Sequence, residues 1–391
     1  MPYTITLGQL PAGHAIDSAK PGGELRVQFR EFVTSEDGDL LTSRLEGLPS
    51  DILRLTGQAA SLQPSAIDHM LVLVRRDKSA TVYINELQIL AEVQATRAIR
   101  AGEAVLDDDV ADVRALKFRG VEIPDDVGVL FAFSMGWRRA LYYDFGPFAP
   151  GIAGSRTYDI WAQLGQCWAY LTFQQLLKVT PEEWELLLHT GWFLFIGIPV
   201  RYRKQLLNYV RSGWDVDELL GDVSKHLKRR LPRLLDAWAT NPCMRDHLPL
   251  LQSAVERYQE EDNVSCNCIL YPRIEGILRS FFSGNATGRP SQKSLVNCAV
   301  SGGGSDLRET SLLLPRVFRR YLNEVYFANF DPARPSAASR NSVAHGVVPA
   351  DQLSLKAATL ALLIVEQLFY FLRPKQKCEP APAGLDTAAG Q

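Results

Sequence analysis

"PFAPGIAGSR", residues 147–156, is the stretch on which the fold turns. Pro147, Pro150, Gly151 and Gly154 break helix and strand alike, and the hydrophobic pattern differs on the two sides. Upstream, "HMLVLVRR" and "SATVYINEL" flank Asp77-Lys78 and predict a β-hairpin. "GVLFAFSMGWRRALYYDF" predicts two more strands that turn near 134–136. Downstream the signals are helical. "TPEEWELLLHTG" places Thr180 as N-cap, Pro181 at the first helical position, Glu183 three residues on and Gly191 as a stop. Strands gathered before one breaker and helices after it predict an α+β, multidomain chain.

Working outward, residues 1–65 show no sustained period beyond a candidate strand, "ELRVQF", and read as an irregular lead-in to a β-rich domain over 1–150. Within that domain "VLDDDVADVRALKF" carries Asp107, Asp108, Asp109 and Asp112. Paired carboxylates can do acid–base work or hold a metal. No histidine or second acidic cluster lies nearby, so helix N-cap chemistry ahead of an apolar-periodic stretch is the better reading. Beyond 151, "RYRKQLLNYV", "VDELLGDVSKHLKRRL" and "HLPLLQSAVERYQEED" predict helices. They fill a helical middle region over 151–244 and open a helical domain over 245–373.

In "NCILYPRIEGILRSFF" Ile269, Leu270, Ile274, Ile277, Leu278 and Phe281 share one stripe of a helix. Residues 283–306, with Gly302, Gly303 and Gly304, predict a long loop, but not a phosphate loop, because no G-x-x-x-x-G-K-[ST] pattern follows a strand. A helix starting near Pro315, a long core helix stopped by Pro374 and a disordered tail over 374–391 complete the expectation.

The chain has 391 residues, room for more than one core. Lys plus Arg number 42 against 44 Asp plus Glu, a net charge of -2, so no whole-molecule field gathers polyanions. Basic patches are local: Lys225, Lys228, Arg229 and Arg230 in "KHLKRRLPR", and Arg316, Arg319 and Arg320 in "PRVFRRYLNEVYF". These are candidate RNA contacts or solvated helix faces. "MPYTITLGQL" lacks the basic and apolar regions of an export signal, which predicts a cytoplasmic protein. The apolar run in 357–372 is interrupted by Glu366 and Gln367 and falls short of the roughly 18–20 residues needed to span a bilayer, so no membrane is expected. Cys167, Cys243, Cys266, Cys268, Cys298 and Cys378 include no C-x-x-C pair and read as buried thiols. Histidines 14, 69, 189, 226 and 247 supply no paired ligand set, so neither a metal nor another cofactor is expected.

"PSAASRNSVAHGVVP", residues 335–349, puts Arg340, Asn341 and His345 among small neighbours. Ser336 as a start and Gly346 as a stop predict a short helix over 336–346. On it Asn341 and His345 lie about 40° apart, and Arg340 about 140° from His345. An arginine fork matches phosphate oxygens, an imidazole exchanges protons near neutrality, and an amide orients either.

"RNSVAHG" resembles the Arg-polar-x-x-x-His signature of the HEPN superfamily, helical domains found in many bacterial RNases. "LYPRIEGILRSFF" resembles the Glu-x-x-x-Arg helix that precedes this motif in several HEPN families, and the apolar helix at 352–372 resembles the closing helix of their bundle. The resemblance covers roughly 245–373. It implies that Arg340 binds the scissile phosphate, that Asn341 positions it, and that His345 transfers the proton; the i,i+4 pair Glu275 and Arg279 is either a support that holds Arg340 or a plain helix salt bridge. It implies an RNA substrate, products ending in 2′,3′-cyclic phosphate and 5′-OH, and a homodimer that brings two motifs to one cleft. Phage-defence and toxin roles are common in this superfamily. The alternative, also known among such domains, is a non-catalytic module that binds nucleotides or proteins.

Overall fold

The computed structural model describes residues 2–57, 67–151, 154–285, 288–301, 310–330 and 338–372. The expected tail, Cys378, Gly302, Gly303, Gly304 and the start of the 336–346 helix lie outside the described residues. The architecture is α+β, a sheet followed by helices, and the chain divides into two compact units that interleave in sequence. One comprises residues 1–186, 199–214 and 308–314; the other comprises 187–198, 215–307 and 315–391.

In the first unit the strands are β1 (Tyr3–Thr6), β2 (His14–Ala15), β3 (Val27–Gln28), β4 (Arg30–Thr34), β5 (His69–Val74), β6 (Ser79–Ile84), β7 (Ile89–Ala95), β8 (Val110–Phe118), β9 (Gly128–Met135) and β10 (Arg138–Asp144). Six of them form an antiparallel sheet in the order β1-β6-β5-β9-β10-β4, and β7 pairs with β8. The two predicted hairpins are present. β5 and β6 are joined through Lys78 at φ 70°, and the Asp77 carboxylate accepts from the Ser79 N–H at 2.9 Å. β9 and β10 pair from Met135 opposite Arg138, so their turn is Gly136-Trp137.

The unbroken apolar run of β5 follows from burial on both faces. Met70, Val72 and Val74 join Ile5, Val33, Ile52 and Leu53 on one side; Leu71 and Leu73 join Phe131, Phe133, Ile160 and Leu164 on the other.

Three expectations are corrected here. The first 57 residues are not an irregular lead-in: β1 and β4 are the edges of the sheet, and α1 (Asp39–Glu46) and α2 (Leu48–Leu55) bury Leu41, Ile52 and Leu53 against it. Their amphipathic runs span only about two turns each, too short to show a period. The Asp run does not cap a helix. Asp107–Asp109 is a 3-10 turn that leads into strand β8, where β-branched Val110 and Val113 favour extended chain. The helical region after 151 does not begin a separate body, because α3 (Ile160–Leu177) shares a core with β8 and β9. Of the four aspartates, Asp109 pairs with Arg97 at 2.6 Å, Asp108 accepts from the Val200 N–H at 2.6 Å, and buried Asp112 accepts from the Leu312 N–H at 3.1 Å. These three are spent on structure.

Next come α4 (Pro181–His189), with the predicted reciprocal Thr180–Glu183 cap at 2.9 and 3.2 Å and Gly191 at φ 79°, and α5 (Val200–Ser212). α5 belongs to the first unit.

The second unit holds α6 (Leu220–Ala239), α7 (Pro242–Arg245), α8 (Leu248–Gln259), α9 (Asn263–Asn285), α10 (Gln292–Val300), α11 (Pro315–Tyr321), α12 (Arg340–Ala344) and α13 (Leu355–Phe371). α13 is buried almost all round, which is why it is apolar all round. Its polar interruptions have partners: Glu366 is ion-paired with Arg230 of α6, and Gln367 accepts from the Ile196 N–H at 2.8 Å. No helix among the described residues is long and apolar enough to cross a membrane. The expected loop over 283–306 contains α10, capped by Ser291 and burying Leu295, Val296, Ala299 and Val300. Flanking Gly and Pro masked a nine-residue helix. The thiols are not uniformly buried either. Burial pushes Cys167 and Cys266 up to about 12, whereas Cys268 is exposed.

Candidate functional site

The site is built on α9 and α12. Serine at 339 rather than 336 starts the short helix, because its hydroxyl accepts from the Ser342 N–H at 3.1 Å while the Ser342 hydroxyl accepts from the Ser339 N–H at 2.9 Å. The helix is therefore Arg340–Ala344, shorter than 336–346, with His345 as its C-cap residue and Gly346 at φ 66° ending it as expected. Ser342 is buried at the base of the turn, and the Ser339 hydroxyl also donates to the Ala328 carbonyl at 3.0 Å.

Beneath this turn lies Glu275, 3% exposed. Its Oε1 accepts from Arg279 Nε and Nη2 at 2.8 and 2.5 Å, and its Oε2 forms an ion pair with Arg340 Nε. One buried carboxylate thus holds two guanidiniums, and the trio keeps a single positive charge. Burial first, and then the Glu275 charge, push the neighbouring Tyr326 phenol well above its ordinary range. That phenol donates to the Tyr271 carbonyl at 2.5 Å, while the two rings stack 5.9 Å apart.

Asn341 is fully engaged. Its Oδ1 accepts from Gln292 Nε2 at 3.0 Å and from Arg340 Nη1 at 3.3 Å, and its Nδ2 donates to the Phe327 carbonyl at 3.0 Å and the Ala328 carbonyl at 3.4 Å. The amide orients Arg340 and ties α12 to α10. His345 is exposed, with its ring 5.4 Å from that of Phe330. The structure thus joins Glu275, Arg279, Arg340 and Asn341 directly in one network, and the backbone of α12 carries His345 five residues from Arg340.

The basic residues divide. Arg230 is withdrawn from any solvent-facing role by Glu366 and by the Gly197 carbonyl at 2.5 Å. Lys228 pairs with Glu261 at 3.0 Å, and Arg320 with Glu324 at 2.8 Å. Lys225, Arg229 and Arg316 are exposed, and Arg319 is half-buried. Sequence reasoning missed Gln292, which lay in the expected loop, and Ser339, whose S-x-x-S spacing to Ser342 was the available signal. The described residues include no group of three or more His, Cys, Asp or Glu able to hold a metal ion. Against protein-family models, curated proteins and solved structures, the chain has no match.

Proposed function

We propose that the second unit is a metal-independent endoribonuclease of HEPN type that acts on cytoplasmic RNA as a phage-defence or toxin effector. The observation that carries this reading is the buried Glu275 carboxylate holding Arg340 on the same short helix, five residues from the exposed His345. A guanidinium fixed by a buried acid is a preorganised phosphate ligand, since its orientation costs nothing at the moment of reaction. Arg340 binds the scissile phosphate. The 2′-oxygen attacks phosphorus and loses its proton to an imidazole; the P–O5′ bond breaks, and the departing 5′-oxygen takes a proton from a second, protonated imidazole. The products are a 2′,3′-cyclic phosphate and a 5′-OH. One chain offers a single His345, so the second imidazole comes from another copy of this chain, in a homodimer. General acid–base transfer of this kind contributes on the order of 10²–10⁴-fold.

One observation favours a second reading, a non-catalytic module that binds nucleotides or proteins: the hydrogen-bonding positions of the Asn341 amide are all taken within the chain, which leaves none to position a phosphate. RNA end-mapping decides between the two. After induction, or with purified protein in EDTA, the parent is expected to leave 2′,3′-cyclic phosphate ends. His345→Ala, at an exposed position, should abolish them while changing stability by no more than about 0.5 kcal/mol. Cleavage that survives in His345→Ala, or that vanishes in chelator, removes the mechanism. An RNA-inert parent whose partner binding is unaffected by Arg340→Ala and His345→Ala establishes the second reading.

A further inference from the structure

Helix α5 of the first unit carries Arg201, Arg203, Lys204 and Arg211 and no acidic residue. Its faces sort by chemistry. Val200, Arg203, Leu206, Leu207 and Val210 are buried. On the opposite side, Arg201, Gln205 and Asn208 fall within about 60° of one another, with Lys204 about 40° beyond them. All four are exposed. Along one flank Tyr202 and Tyr209 lie about 20° apart. Just past the helix, Trp214 is 62% exposed and meets the Tyr209 ring edge-on at 5.3 Å. Neither Arg201 nor Lys204 has an acidic partner among the described residues: Arg201 lies over the Tyr202 ring at 4.5 Å, whereas Arg211 is taken by Glu183 at 2.6 Å.

From this arrangement we infer that the outer face of α5 is a binding surface for single-stranded nucleic acid. Two unpaired cations meet phosphates, and the amides of Gln205 and Asn208 offer donors and acceptors to sugars or base edges. The exposed indole of Trp214, propped by Tyr209, stacks on a base. A duplex presents no base faces to stack on, so the single strand is the fitting partner. The helix is about 20 Å long at 1.5 Å per residue, which matches roughly six stacked nucleotides at 3.4 Å each. The inference rests on this surface alone, and it holds or fails independently of RNA cleavage by the second unit.

Fluorescence anisotropy with labelled oligouridylate, oligothymidylate and an RNA hairpin duplex, titrated into full-length His345→Ala protein so that the probe stays intact, tests it. Both single strands are expected to bind more tightly than the duplex. Trp214→Ala should weaken that binding roughly 5- to 150-fold, the cost of one lost stacking contact, and Trp214→Phe should restore most of it. Arg201→Ala with Lys204→Ala should lower the slope of log affinity on log salt by about 1.4 between about 50 and 200 mM, two phosphates at 0.7 each. All substituted side chains are solvent-facing, so melting curves should match the parent. No binding by either strand, equal affinity for the duplex, or variants indistinguishable from the parent would each overturn the assignment. Cleavage by the parent alongside indifference of the α5 variants would remove the surface and leave the nuclease; binding without cleavage would do the reverse.

Discussion

Glu275 sits on α9 with one carboxylate oxygen toward Arg279 and the other toward Arg340, and the two arginines differ in what they stand to lose. The Arg340 side chain is 25% exposed and the Arg279 side chain 48%, so the first contact is shielded from water and the second is largely screened. Glu275→Ala should therefore cost about 3 kcal/mol, because it leaves a guanidinium half-buried without its anion. Arg279→Ala should cost no more than about 0.5 kcal/mol. Denaturant unfolding of the two variants checks this, and equal losses would refute the unequal sharing. If RNA cleavage is present, Glu275→Ala should lower it about as far as Arg340→Ala does. At this scale the Glu275–Arg279 spacing was readable as an i,i+4 pair. The Arg340 contact was readable only as one of two alternatives for that pair, because it joins elements far apart in sequence, and the hydrogen bond from Gln292 to Asn341, which has the same origin, was not readable at all.

Helix α3 shows what decides packing between elements. A methyl group at Gly165 would stand 2.7 Å from the Ala115 Cα of β8, a backbone atom that cannot swing aside. The helix approaches the strand closely because neither side chain there is large. Gly165→Ala should destabilise the first unit by about 1–3 kcal/mol although alanine is the better helix former. A denaturation midpoint equal to that of the parent would show that the interface can give. Hairpins and long capped helices were legible because their signals are local: Asp77-Lys78, Gly136 and the Thr180–Glu183 box each act within a few residues. The strand β8, the short helices α1 and α2, and α10 were misread. Their type is set by the surface each one covers rather than by its own period.

Across the whole molecule, buried and half-buried histidines contribute to the response to acid between about pH 7.5 and 5.5. Burial is the first cause that lowers His14, His69 and His247 below the ordinary imidazole value of 6.5; the Arg44 charge adds to it at His14 and the Arg273 charge at His247. His69 Nε2 accepts from the Leu87 N–H at 3.0 Å, which only the neutral ring can do. Below pH 6.5 the unfolded chain takes up protons that the folded chain refuses, so stability falls as pH drops from 6.5 toward the folded values. Melting temperature should therefore decrease between about pH 7.5 and 5.5, and the decrease should shrink in His69→Gln, whose amide oxygen can accept the same N–H at either pH. A flat profile in the parent would contradict this. The amino-acid order by itself determined the α+β class, the two hairpins, the capped helices and the Arg340–His345 spacing, since each depends on dihedral preference, capping or periodicity within a few residues. Only the tertiary structure decided that the leading residues complete a sheet, that three of the four aspartates are spent on structure, and that Glu275 does reach Arg340. The sign and worth of each of these depend on burial, and burial exists only once distant segments have met.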